Sequence, residues 1–348
     1  MSVNVQETQA DGRDIEVRPP ATPEGTMRAI VQSEYGTADV LRLAEVEIPS
    51  PTANQVLVRV RAAGLDRGAW HVMTGKPYAV RLFFGLRKPK KHGTGQEVAG
   101  TVVAIGSAVT RFAVGDEVFG IARGAFAEYA VASEDKLAMK PRDLTFEAMA
   151  VVAVSALTAL QAIRDVGRVQ SGQQVLIVGA SGGVGSYAVQ LAKTFGAEVT
   201  GVCSTAKLDL VRSLGADHAI DYTRDDFAAG SHRYDLILDI AGNSAISRLR
   251  RALTPTGTVV MVGGEEGGSL TGGIGRQLRG RVVSMFSHQR LTGLLCKERF
   301  SDLECLAELI AAGDVTPSVG ETYPLHQVPQ AMRDLERGSV RGKVAIVV

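Results

Sequence analysis

The chain has 348 residues, 45% of them hydrophobic and 22% charged, the balance of an ordinary soluble enzyme. Its formal net charge of +1 excludes a broad electrostatic footprint for nucleic acid or for a membrane surface. The only cysteines, Cys203, Cys296 and Cys305, lack paired spacing, which argues against a disulfide framework and for a reducing compartment.

The length suits two domains. Residues 1–26 carry more acids than bases, contain no apolar core of signal-peptide length, and include Pro19, Pro20 and Pro23. They are expected to be a disordered lead-in rather than a targeting segment. No run approaches the roughly 18 apolar residues of a membrane span, so a cytoplasmic protein is expected.

Ordered structure should begin at Met27, with a strand over Arg28–Gln32. Gln55–Ala62 alternates, with Val56, Val58 and Val60 on one face and Arg59 and Arg61 on the other, as a half-buried strand does. Further short strands are expected at Val98–Ile105, Val118–Ile121 and Phe126–Val131, with turn chemistry at Phe112–Asp116. Their close spacing suggests a barrel-like β unit.

After Pro141 the period changes. Phe146–Val166 is patterned as one long helix, and strands then alternate with helices. The strands expected are Val175–Val178, Glu198–Cys203, Ala219–Tyr222, Leu236–Asp239, Thr258–Val262 and Val282–Phe286. Six strands with helical crossovers predict an α/β, doubly wound parallel sheet. Helices are expected around Leu303–Ile310 and over Val328–Arg337. A last strand, Val344–Val348, is expected to return to the β unit.

The richest stretch runs from Gln174 to Ser186. An apolar strand breaks into the turn Gly179-Ala-Ser-Gly-Gly-Val-Gly185 and resumes as a helix through Val184, Ala188, Leu191, Ala192 and Phe195. That context marks a dinucleotide fingerprint. Ser181, Gly182, Gly183 and Val184 would let backbone approach a pyrophosphate, and Gly185 would let helix pack on strand. The helix amino terminus offers unpaired N–H groups and a positive dipole end.

The order of elements, with Ala63–Asp66, Gly95–Gly100, Val114–Val118, Gly124–Tyr129, Leu157–Ala159, the glycine turn, Leu214–Asp217, Ile220–Tyr222 and Arg341–Val344, resembles the medium-chain dehydrogenase/reductase family. The closer resemblance is to its zinc-free, quinone-oxidoreductase-like branch. It implies a GroES-like β-rich catalytic domain (27–146 and 289–348) around a Rossmann domain (147–288), with catalysis between them. It also implies a homodimer. At the positions where zinc-dependent members hold their metal this chain has Asp66, Gln96 and Val154, of which only Asp66 suits a divalent metal, so a metal-free site is expected.

No acid follows the second Rossmann strand, where binders of NAD place one. The residues there are Ser204, Thr205, Ala206 and Lys207. Hydroxyls and a cation suit a 2′-phosphate, so NADPH is the expected cofactor. The resemblance adds Tyr222 and Lys343, and Gly263 and Phe286, ending later strands, are placed on the same wall. Without a metal to take developing charge, the substrate expected is one that delocalises it, an enone or a quinone. A metal-free alcohol or ketone dehydrogenase and a nucleotide-binding protein without turnover are the alternatives.

Around the cleft the resemblance nominates Asp66, Tyr78 and Thr158 for chemistry and Trp70 and His71 for the substrate pocket. Tyr78 would donate a proton or hydrogen bond, and Trp70 would stack on a flat acceptor. Asp66 reads equally as a satisfied loop carboxylate, and Thr158 as a helix-core threonine. Two segments stay open. The basic run Arg87–His92 is either a solvated loop or an attractor for an anionic acyl carrier, and the glycine-rich Gly263–Gly275 is either a flap over the cleft or plain flexible chain.

Overall fold

The computed structural model describes residues 23–90, 93–264 and 272–348. Most of the expected disordered lead-in, Lys91 and His92 of the basic run, and residues 265–271 of the glycine-rich segment lie outside the described residues.

The alternating segment is the spine of the first lobe. Gln55–Leu65 buries Val56, Leu57, Val58 and Val60 and pairs antiparallel with Glu97–Ile105, Tyr129–Ser133 and Lys343–Val347. Around it the sheet runs Val319–Pro324, Lys343–Val347, Gln55–Leu65, Glu97–Ile105, Glu117–Ile121, Leu137–Met139. The last strand of the chain thus returns to this lobe, as its position after a complete second sheet suggested. A separate two-stranded ribbon, Thr26–Val31 with Arg42–Glu47, closes over Ala127.

The second lobe is the doubly wound sheet. Its six parallel strands stand in the order His218–Asp221, Glu198–Cys203, Gln174–Val178, Tyr234–Asp239, Leu253–Met261, Arg290–Gly293. The order reverses at Gln174–Val178, and a crevice opens beyond the carboxyl ends of the strands at such a point. Gly185 makes the helix Gly183–Thr194 lie close on that strand's turn. A Cβ there would fall 2.1 Å from the Gly179 carbonyl oxygen.

Two expectations are corrected. Val282–Phe286 is not the sixth strand. Residues through Met285 belong to the helix Ile274–Met285, and the sixth strand is Arg290–Gly293, which carries the second lobe past residue 288 to at least Gly293. A short apolar run has the same composition in a strand and in a helix, and packing decides. Here Gly280 is buried in the helix, and a Cβ on it would meet Met261 at 2.5 Å, so that side faces the sheet and Val282 faces outward. The expected long helix is also broken. It becomes Phe146–Ala150, Ala153–Leu160 and a π-helical turn over Gln161–Gly167.

The break at Val151–Val152 is where the lobes meet. Tyr187, fully buried in the helix after the glycine turn, donates to the Val151 carbonyl at 3.1 Å. Three residues on, the Val154 N–H donates to Glu97 Oε1 at 2.8 Å. Glu97 is fully buried, and its other oxygen forms an ion pair with Lys343, itself buried. The Lys343 stem lies under the glycine turn, where a Cβ on Gly183 would come 2.9 Å from its Cδ. Burial dominates the Glu97 carboxyl and pushes it up to about 7. Lys343 pulls it down, and the neighbouring Asp66 charge pushes it up again.

Because this pKa is raised above the unfolded value of 4.5, the folded chain keeps a proton that the unfolded chain loses. This group's contribution to stability therefore falls as pH rises from 4.5 through about 7. Replacing Lys343 by Met keeps the stem and removes the cation. The variant is expected to lose about 3–5 kcal/mol where Glu97 is ionised and less where it is protonated. Thermal melts should show a larger drop in Tm near pH 8 than near pH 5.5, and equal drops would mean the lysine charge is not what Glu97 relies on.

Candidate active site

Between the lobes lies a cavity of about 370 Å³. The first lobe walls it with His71, Val72, Val80, Phe83, Phe84 and Gln96, and the second with Val262, Gly263, Gly264 and Gln277. The helix Ile274–Met285 presents Gln277 because Arg276 fixes its first turn. That side chain pairs with the buried Asp239 and donates to the Ser244 carbonyl at 2.6 Å. The Gly263 backbone can lie against the cavity only as glycine, since a Cβ would stand 1.9 Å from the Ile240 carbonyl oxygen.

Asp66 is buried behind the cavity-lining Gly68, and its carboxylate is engaged. It precedes the helix Arg67–Thr74, and its Oδ1 accepts from the Ala69 N–H at 2.8 Å as an amino-terminal cap. Gly68 brings the residues of this corner together. A Cβ on it would lie 2.9 Å from Asp66 Oδ1 and 3.9 Å from Gln96 Nε2. The donors brought together here are therefore one capping carboxylate and one amide, the third position matched to a metal ligand is the apolar Val154, and such a set does not fit a catalytic zinc. Among the described residues no group of three His, Cys, Asp or Glu side chains could hold a metal ion.

Of the other nominated residues, His71 does line the cavity, with Nδ1 held 2.7 Å from the Lys76 carbonyl oxygen. Trp70, on the same helix, is packed against the core of the β lobe and is not a wall of the cavity. Tyr78 is half exposed with Arg81 stacked 4.7 Å over its ring, and it also stands outside the walls. Thr158 Oγ1 donates back to the Val154 carbonyl at 2.7 Å within its own helix. Sequence reading missed Val80, Phe83 and Phe84. The signal available was an apolar run in a segment with no core to enter.

Residues able to hold a dinucleotide are gathered along the crevice. The helix Gly183–Thr194 begins at Gly183, so the N–H groups of its first turn face the space beside Ser181 and Gly182. At the next strand end, Ser204 precedes the turn Thr205–Lys207. Lys207 Nζ donates to the Val340 carbonyl at 3.0 Å, and burial draws its pKa down, with the nearby Arg341 charge adding to the fall. Arg341 is thus a second cation at this end of the crevice. Tyr222 is exposed there, its N–H on the Cys203 carbonyl at 3.1 Å.

Asp221, one strand over, is an acid that a search along the second strand does not reach. It accepts from the Thr205 hydroxyl and from the Thr223 N–H, and these bonds and Arg224 hold its carboxyl below the usual carboxylate range.

Two nominated residues lie elsewhere. Phe286 follows the carboxyl end of Ile274–Met285 and is 86% exposed, about 20 Å along the helix from the end that lines the cavity. Lys343 lies beneath the glycine turn with its ammonium on Glu97, rather than at the ribose end.

Two family models match. Residues 52–142 fit the alcohol dehydrogenase GroES-like domain and residues 214–346 the zinc-binding dehydrogenase. The chain is 33% identical to a chloroplastic quinone-oxidoreductase homolog of Spinacia oleracea, over 92% of this chain and 98% of that one. It is 35% identical to a 2-methylene-furan-3-one reductase of Solanum lycopersicum, over 68% of this chain and 62% of that one. Among solved structures, a mycobacterial protein complexed with NADPH superposes with a TM-score of 0.80 at 28% identity, covering 92% of this chain and all of that one. The chain belongs to the medium-chain dehydrogenase/reductase family of oxidoreductases, in its quinone-oxidoreductase-like branch.

Proposed function

We propose that the chain is a zinc-independent, NADPH-dependent oxidoreductase acting on the activated C=C bond of an enone or on a quinone. The observation that carries this reading is the corner at Asp66. The position that holds a metal in zinc-dependent relatives offers only a carboxylate bound to its own helix, the Gln96 amide and Val154. The cavity beside it is walled by apolar side chains, with Gln96 and His71 as its polar groups on the β-lobe side.

The chain's own residues would work as follows. The glycine turn and first-turn N–H groups seat a pyrophosphate, while Lys207, Arg341, Ser204 and Tyr222 face a 2′-phosphate. When bound, the reduced nicotinamide supplies a hydride. Gln96 lines the cavity, and its amide would donate to and orient the substrate oxygen. Asp66 holds the helix Arg67–Thr74, and so His71 and Val72, in place. Phe83 and Phe84 keep water from the reacting end. Among the described residues no Lys or Arg lines the cavity, so the substrate would have to spread the developing charge itself. The named activity of the tomato relative, reduction of a conjugated ketone, supports the choice.

A second copy of the chain is the partner we propose. Arg290–Gly293 ends its sheet, so one side of its backbone has no neighbouring strand among the described residues. Beside it Leu278, Val282 and Met285 face outward at helical spacing, with Met285 78% exposed. A matching edge related by a two-fold axis would continue the sheet and cover this stripe.

Three outcomes are expected. NADPH should be consumed with enones and quinones and not with simple aldehydes; turnover confined to secondary alcohols and ketones would favour the alcohol dehydrogenase alternative, and binding without turnover the non-catalytic one. Lys207→Glu should weaken NADPH by at least about tenfold while leaving NADH nearly unchanged, as read by fluorescence titration, and equal effects on both would remove the 2′-phosphate assignment. Val282→Asp with Met285→Asp should halve the mass measured by light scattering, and a wild-type chain of monomer mass would end the dimer proposal.

A further inference from the structure

Beside the cavity mouth the chain builds a small apolar tip ringed by cations. Leu82, Phe83 and Leu86 are 67%, 80% and 68% exposed, and Phe84 between them is partly exposed as well. Single exposed apolar side chains are ordinary, but four within five residues on one short segment are not. Arg87, Lys88 and Lys90 follow, all exposed. From Arg67 to Gln96 the sequence contains seven Lys and Arg residues and no Asp or Glu, a run that the chain-wide charge of +1 averages away.

The tip is preformed. Tyr35 Oη donates to the Gly85 carbonyl at 2.7 Å, and the Lys90 N–H donates to the Phe84 carbonyl at 2.8 Å. Gly85 has φ +125°, and a Cβ on it would fall 2.1 Å from the Lys88 carbonyl oxygen, so the turn requires glycine. Arg81 fixes the base, its guanidinium 4.5 Å over the Tyr35 ring and 4.7 Å over the Tyr78 ring. A backbone pinned at four points therefore holds apolar side chains out into water.

We propose that this tip docks the protein on an anionic lipid surface, the apolar side chains entering the acyl boundary and Arg87, Lys88 and Lys90 meeting headgroup phosphates. Charge decides the occupant. A second copy would bring like-charged tips together. A protein partner needs about 800 Å² per side, far more than three or four side chains supply. A bilayer needs only an apolar wedge and nearby cations. No helix among the described residues is long and apolar enough to cross a membrane, so attachment would be peripheral. Phe83 and Phe84 belong both to the tip and to the cavity wall, so the docked protein would open its cleft toward the bilayer, where a lipophilic substrate concentrates. Docking itself does not depend on the reaction proposed above.

The test is co-flotation of the full chain with vesicles. Vesicles of mixed phosphatidylcholine and phosphatidylglycerol are compared with phosphatidylcholine alone near 0.1 M salt, where surface attraction still reaches about 10 Å. The wild type should float with the anionic vesicles and at least about tenfold less with neutral ones. Leu82→Ser with Leu86→Ser, and separately Arg87→Glu with Lys88→Glu, should each reduce anionic binding by about tenfold or more at unchanged Tm. These four residues lie outside the cavity walls, so NADPH binding should persist in both variants. Wild type that stays in the aqueous phase, equal binding to both vesicle types, or variants that bind as wild type would each overturn the proposal. So would a change of oligomeric state, in place of lipid binding, in the leucine variant.

Discussion

A carboxylate with no access to water is the constraint on which the geometry of this molecule depends. Glu97 is sealed at the junction of the lobes, and burying its charge is costly unless every partner is in place. Those partners are the Val154 N–H, where the chain enters the second lobe, and the Lys343 ammonium, from the last strand of the first. The Lys343 stem in turn supports the turn at Gly183. One ionisable group thus fixes where the dinucleotide turn stands relative to the strand that leads to Asp66. Segments distant in sequence (Glu97, Val154, Gly183 and Lys343) meet within a few ångströms, and the cleft inherits that register.

The chemistry of the cleft follows from what this junction leaves for the corner beside it. Asp66 neighbours Glu97 closely enough to raise its pKa, and one of its oxygens is held by the Ala69 N–H. Gln96, the residue just before the strand that begins with the buried Glu97, lines the cavity. The buried ion pair and a cavity-lining amide thus stand at neighbouring residues at the start of one strand. On the proposed reading this division selects the substrate, because a neutral amide orients an oxygen without taking a full charge from it.

Much of this was legible in the sequence. The strand, glycine turn and helix at 174–195, the first five strands of the second sheet and the return of the last strand all follow from periodicity and glycine placement. The strand expected at Val282–Phe286 failed because its apolar side chains face outward, and local composition does not record which side a neighbour occupies.

The candidate site was less legible, for a related reason. The family pattern gives a position along the chain but not a direction. Trp70 and His71 are adjacent on one helix, yet one enters the β core and the other the cleft. The resemblance put Lys343 with the cofactor-binding residues, and its partner Glu97 lies 246 residues away in sequence. Phe83 and Phe84 had no periodic signal, since their helix, Arg81–Phe84, is a single turn long.

On the proposed function, the substrate accommodates its own developing charge at a corner without a metal. The most direct measurement follows deuterium from NADPH labelled at the transferring carbon into a conjugated ketone, using protein dialysed against a strong chelator. The account predicts label on the β-carbon of the product, at a rate unchanged by the chelator. Label on the carbonyl carbon, with activity lost on dialysis and restored by zinc, would contradict it.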